Sequence, residues 1–99
     1  MTMRTEGFNF IWNWIHFSVS TARDTNGNLH EIVVSSDKAG SQIDLMTRES
    51  AAMCSLLLQH GVPLDVICAE LTQDERGLPD SAIGIALAHV AKQESADRG

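Results

Sequence analysis

The chain has 99 residues, 43% of them hydrophobic and 20% charged, and its 13 acidic and 7 basic side chains give a formal net charge of −6. That size fits one domain with a modest core, and the acidic balance excludes a general phosphate-backbone binder, which needs a basic stripe. The two cysteines form no Cys-x-x-Cys spacing, which excludes a disulfide scaffold and a zinc pattern; no run reaches the roughly 20 apolar residues of a membrane span, the N-terminal apolar run has no cleavage site, and the expectation is a soluble, cytoplasmic protein.

Residues 1–7 are expected to be a flexible terminus. All five aromatic residues follow closely: Phe8, Phe10, Trp12, Trp14 and Phe17. The first four share one parity, whereas Ile15, Phe17 and Val19 share the other. Alternate residues of a strand face opposite ways, so the buried face switches near Trp14, through a bulge or a break into two short segments. Two readings of Phe8, Phe10, Trp12 and Trp14 stand: a lid on the core, or a self-association surface, where aromatics are enriched.

Residues 15–23 read as a strand, Asp24-Thr25-Asn26-Gly27-Asn28 as a turn and 29–36 as the return strand, because Asn-Gly takes the positive φ angles of a hairpin readily. A lone hairpin is marginal in water. It must lie on helices, or extend its edge to residues 8–14 or to a second subunit.

A long helix is expected over 41–60, with Ser41 as N-cap and Asp44 where a capping box has Glu or Gln. Ile43, Met46, Met53 and Leu57 follow one face, and Ala51, Ala52, Cys54, Leu56 and Leu58 widen it until the second half is apolar nearly all round. Such a helix is expected to be buried on most sides, with Arg48 and Glu49 at its wet edge. Gly61 closes it in the left-handed conformation.

Pro63 can open a second helix at its first position, with Leu64, Ile67, Cys68 and Leu71 as its apolar face, over about 63–71. Residues 72–77 are turn-like. Pro79 and Asp80 are expected to open the last helix, about 80–94, with Asp80 at the positive end of the dipole and Ile83, Leu87, Val90 and Ala91 as its stripe. Gly84 inside it implies close packing, for which Ala51 and Ala52 are the expected neighbours. Residues 95–99 read as a polar, flexible tail.

Three stretches together resemble the TSCPD domain, a small module found at the C-terminal end of some ribonucleotide reductases, chiefly the adenosylcobalamin-dependent class, and also as short stand-alone proteins. Glu31 to Ser41, EIVVSSDKAGS, is similar to that family's strand leading into its helix; GVPLDVICAEL, ending at Leu71, is similar to its next segment; and Gly77-Leu-Pro-Asp-Ser-Ala-Ile83 is similar to its Ser-Cys-Pro-Asp motif. The similarity spans 15–92 and carries over Pro79-Asp80 and the Lys38-Ala39-Gly40-Ser41 turn. The family's motif cysteine falls on Leu78, a second on Gln42, and the cysteine-bearing segment before the motif is shortened to 72–76, so thiol or metal chemistry is not carried over.

The turn before the long helix is the candidate site. Gly40 permits close backbone approach, the helix start offers free N–H groups, and Lys38 and Ser41 add contacts, which suits an anion or nucleotide phosphate. The alternative is that Ser41 only caps and Lys38 is solvated. His16 and His30 can face each other across the hairpin but have no third metal ligand, and His60 suits its helix C-terminus. Cys54 and Cys68 read as small buried hydrophobes, and Asp74, Glu75 and Asp80 as a solvated loop and a cap. Neither a catalytic residue nor a metal site nor a cofactor is assigned.

The expected architecture is α+β: one domain over 1–99, in which an antiparallel β-hairpin or meander packs on three helices centred on 41–60. A homodimer is expected, since the aromatic cluster and the short sheet both need covering. The function the resemblance implies is a non-catalytic accessory or interaction module that contacts a ribonucleotide reductase or related protein. The alternative is a small-ligand or nucleotide-binding regulator using Lys38, Gly40 and Ser41. An enzyme is the least favoured reading, and neither nucleic acid nor membrane is an expected partner.

Overall fold

The computed structural model describes residues 4–98. Strands β1 (Arg4–Trp12), β2 (Ile15–Arg23) and β3 (Leu29–Ser36) precede helices α1 (Gln42–Gln59), α2 (Leu64–Glu70) and α3 (Ala82–Arg98). The strands form one antiparallel sheet in the order β1-β2-β3. The expected α+β arrangement, with its sheet first and three helices after it, is the one observed. Residues 4–7 and 95–98, expected in the flexible ends, lie in β1 and α3; residues 1–3 and 99 lie outside the described residues.

The parity switch near Trp14 is a two-residue turn. Trp12 pairs with Ile15, and Asn13 and Trp14 between them have φ of 51° and 65°. Even residues of β1 and odd residues of β2 therefore share the inner face. Phe8, Phe10 and Trp12 pack at the margin of the core, and Phe10 stacks on Phe17 at 5.1 Å. Trp14 is not on that face: it sits at the hairpin tip, 95% exposed.

The second turn is held by Asp24, whose Oδ1 accepts from the Asn26 and Asn28 amides, while Gly27 has φ of 85°. Residues 74–78 repeat this design. Asp74 Oδ1 accepts from the Arg76 and Leu78 amides, and Gly77 has φ of 81°. In each loop the Gly amide donates to the aspartate carbonyl, and the aspartate amide to the carbonyl of the fifth residue. Asp74 is thus the organiser of its loop rather than a merely solvated carboxylate.

The core joins Phe17, Val19, Ile32 and Val34 of the sheet to Ala86, Leu87 and Val90 of α3, with Ile67 of α2 and Cys54 of α1. Gly84 is buried against Ser81, Pro79 and Leu71, the first two 3.0 and 3.3 Å from where its Cβ would be. That replaces the expected neighbours Ala51 and Ala52: Ala51 is buried elsewhere in the core and Ala52 is exposed. The α3 cap is also corrected. Ser81 Oγ, not Asp80, accepts from the Gly84 amide at 3.1 Å, and Asp80 is exposed.

The orientation of α1 is the main departure from expectation. Its buried residues are Asp44, Thr47, Ala51, Cys54 and Ser55. Met46, Met53 and Leu57, expected inside, point outward and are 58%, 65% and 44% exposed. The reason is the place α1 occupies. It runs antiparallel to β3 along that strand's free edge, whose outward backbone groups need polar partners. The Ser36 amide donates to Asp44 Oδ1 at 2.8 Å, the Ile32 amide and carbonyl both bond Ser55 Oγ, and Gln59 Nε2 donates to the His30 carbonyl. A helix that covers an edge needs hydrogen-bonding and small residues inward, so its large apolar residues remain for the other side.

Candidate functional site

The turn at 38–41 has the expected backbone. Gly40 has φ of 80°, and Ser41 caps α1, its Oγ accepting from the Asp44 amide at 3.3 Å. What sequence reasoning missed is the destination of the Asp44 side chain. Its Oδ1 accepts from the Ser36 amide and hydroxyl, and its Oδ2 from the Gly40 amide at 3.2 Å and Arg48 Nε at 2.9 Å. Asp44 is only 1% exposed. The Ser36 amide above all, then the Arg48 guanidinium and the Gly40 amide, hold its carboxyl down from 3.8 to about 2 against the opposing effect of burial. The anion that this helix start and glycine amide receive is thus supplied by the chain itself. Lys38 is exposed, and only its backbone, through the amide bonded to Ser36 Oγ, is tied into the cluster.

Pro79 and Asp80 lie on a different element, at the exit of the 74–78 loop, where the Asp80 amide donates to the Thr72 carbonyl and Gln73 bridges to Pro79. Pro79 lines a mainly apolar cleft of about 440 Å³ between α2 and α3, with Cys68, Leu71, Ala88 and Lys92. Burial pushes the Cys68 thiol up, and the nearby Asp65 and Glu94 carboxylates add to that. Burial also raises Cys54, with a smaller contribution from Cys68. Raised thiols hold little thiolate at neutral pH, which makes both poor nucleophiles. Leu78 is exposed at the loop.

A broader, polar groove of about 1010 Å³ lies between the β2–β3 turn, the α1–α2 connection and α3. Arg23 lines it, donating to Glu94 Oε1 at 2.8 Å and to the Gly27 carbonyl. That ion pair ties α3 to the hairpin turn. The histidines do not converge: the His16 carbonyl accepts from the Asp37 amide at one end of the sheet, His30 is the second residue of β3 at the other, and the His89 ring lies tilted against Phe8 with centroids 4.1 Å apart. The pairing of His16 with His30 across the hairpin is therefore corrected, because His16 lies next to Phe17, which pairs with Ser36.

The remaining feature is the outer face of α1. Met46, Met53 and Leu57 stand one above another at helical spacing, flanked by exposed Leu45 and Leu56. Among the described residues no helix is long and apolar enough to cross a membrane.

A family model for the TSCPD domain matches residues 3–93 of the chain. No curated protein and no solved structure matches it.

Proposed function

From the premise that this chain belongs to the TSCPD domain family, we propose that it is a non-catalytic interaction module that docks through the outer face of α1. The observation that carries this reading is the exposed Met46, Met53, Leu56 and Leu57 array. Contiguous apolar surface on a folded domain marks an interaction site, and methionines adapt to a partner's contour. Each of these side chains is about half exposed, so covering it contributes roughly half of the 1.5–3 kcal/mol that full burial would give.

The net charge of −6 favours a neutral or basic partner surface. The family's occurrence at reductase C-termini makes a ribonucleotide reductase large chain, or a related protein, the partner to test, in a reducing cytoplasm that suits two free thiols. The nucleotide-regulator reading has less support, because Asp44 already takes the amides a phosphate would need.

The test is co-elution with a reductase large chain from the same cell. A complex that Met53→Glu removes supports the reading; absence of a complex, or one indifferent to that change, contradicts it.

A further inference from the structure

The two edges of the sheet differ. β3 is covered by α1, whereas among the described residues nothing pairs with the outer edge of β1. The Asn13-Trp14 turn makes Trp12 and Ile15 a hydrogen-bonded pair. Such pairs alternate along an antiparallel ladder. Trp12, Phe10 and Phe8 thus direct their backbone groups at β2, and Ile11, Asn9, Gly7 and Thr5 direct theirs outward.

Natural edges are normally blunted by proline, lysine, a bulge or shortness. From Gly7 to Trp12 β1 has none of these, and its charged residues, Arg4 and Glu6, stand at its start. It is nine residues long and its register is unbroken from Arg4 to Trp12. Residues 7–15 carry no Asp, Glu, Lys or Arg, in a chain whose net charge is −6. On the same strand the inward row of Phe8, Phe10 and Trp12 is only half-buried.

We propose that a second copy of the chain closes this edge, β1 pairing antiparallel with β1 across a two-fold axis between Gly7 and Ile11. The two three-stranded sheets then form one continuous six-stranded sheet with α3 of each copy on one face and α1 along each outer edge. A two-fold axis makes the edge its own complement, each copy offering the same outward N–H and C=O groups in reverse order. It also brings the two aromatic rows together on the inner face, where each finishes covering the other. The uncharged strip lets two acidic chains meet without placing like charges in contact. This surface is separate from the outer face of α1, so the two proposals stand or fall independently.

Sedimentation equilibrium and amide exchange test it. At high-micromolar concentration the wild type is expected at twice the mass of one chain, with the Gly7, Asn9 and Ile11 amides slowed on the order of tenfold or more relative to a monomeric variant. Asn9→Pro removes an outward N–H and no bond within the monomer. It is expected to give the mass of one chain with an unchanged circular dichroism spectrum. Ile11→Lys, which places a charge on the edge, is expected to do the same and decides the matter if Asn9→Pro does not fold. A wild type with the mass of one chain overturns the proposal, as does a dimer that survives both changes or one that is lost in Met53→Glu instead.

Discussion

Ser55 Oγ accepts the Ile32 N–H at 2.9 Å and donates to the Ile32 carbonyl at 3.0 Å. One hydroxyl supplies both bonds that a fourth strand would make to that residue. Ser55→Ala leaves two buried backbone groups without partners and is expected to cost roughly 1–3 kcal/mol. Met53→Ala, on the opposite face of the same helix, is expected to stay within about 0.5 kcal/mol of wild type. Urea unfolding of the two variants checks this; a larger loss at Met53 would contradict the orientation of α1.

Asp44 gives the fold a definite acid dependence. Its folded value of about 2 lies below the ordinary 3.8, so its contribution is complete above the unfolded value and is lost as pH falls from 3.8 towards about 2. Asp44→Asn is expected to melt well below wild type at pH 7, and the two melting temperatures to converge as the pH approaches that lower value. The Leu78 amide chiefly, with the Arg76 amide and side chain, also lowers Asp74, so the difference between wild type and Asp44→Asn is the informative quantity. A difference that does not change with pH would show that the carboxylate charge is not what holds the turn.

Trp14 occupies a left-handed backbone position with φ of 65° and a side chain 95% exposed. Glycine avoids the steric cost of that conformation, about 1–2 kcal/mol for an L-residue, and returns part of the gain as chain entropy. Trp14→Gly is therefore expected to stabilise the isolated chain by roughly 0.5–1 kcal/mol, read as a higher urea midpoint. A lower midpoint would mean that the indole packs on the fold after all.

The Lys38, Gly40 and Ser41 turn is expected to give no thermal shift with nucleoside triphosphates or their deoxy forms, because the Gly40 amide donates to Asp44 Oδ2 and the Ser36 amide to Oδ1. A shift that Lys38→Ala and Gly40→Val abolish would restore the nucleotide-regulator reading.

The parts of the fold that were legible in the sequence are those with local chemistry. Asp24 to Asn28 announces a turn through Asn-Gly, and Gly61 closes α1 with its amide on the Leu58 carbonyl and the Val62 amide on the Leu57 carbonyl. The parity switch marked the Asn13-Trp14 turn, although nothing in a Trp signals a positive φ. The facing of α1 was not legible from hydropathy, since its inner side carries Asp44, Thr47 and Ser55 in answer to an edge that only the tertiary arrangement creates. The same blindness applied at the candidate site. Ser41 and Gly40 were readable as a cap and a turn, but Asp44, read as an imperfect capping-box residue, reaches Ser36 on β3. The small-residue pattern Asp44, Ala51, Ser55 on one face was the available signal.

Docking through the outer face of α1 is decided by a binding titration of the wild-type chain and Met53→Glu against a ribonucleotide reductase large chain from the same cell, with melting curves of both forms alongside. The expected result is saturable binding by wild type and its loss in Met53→Glu at an unchanged melting temperature, since Met53 is 65% exposed. Equal binding by the two forms, or none by wild type, would contradict docking through the outer face of α1.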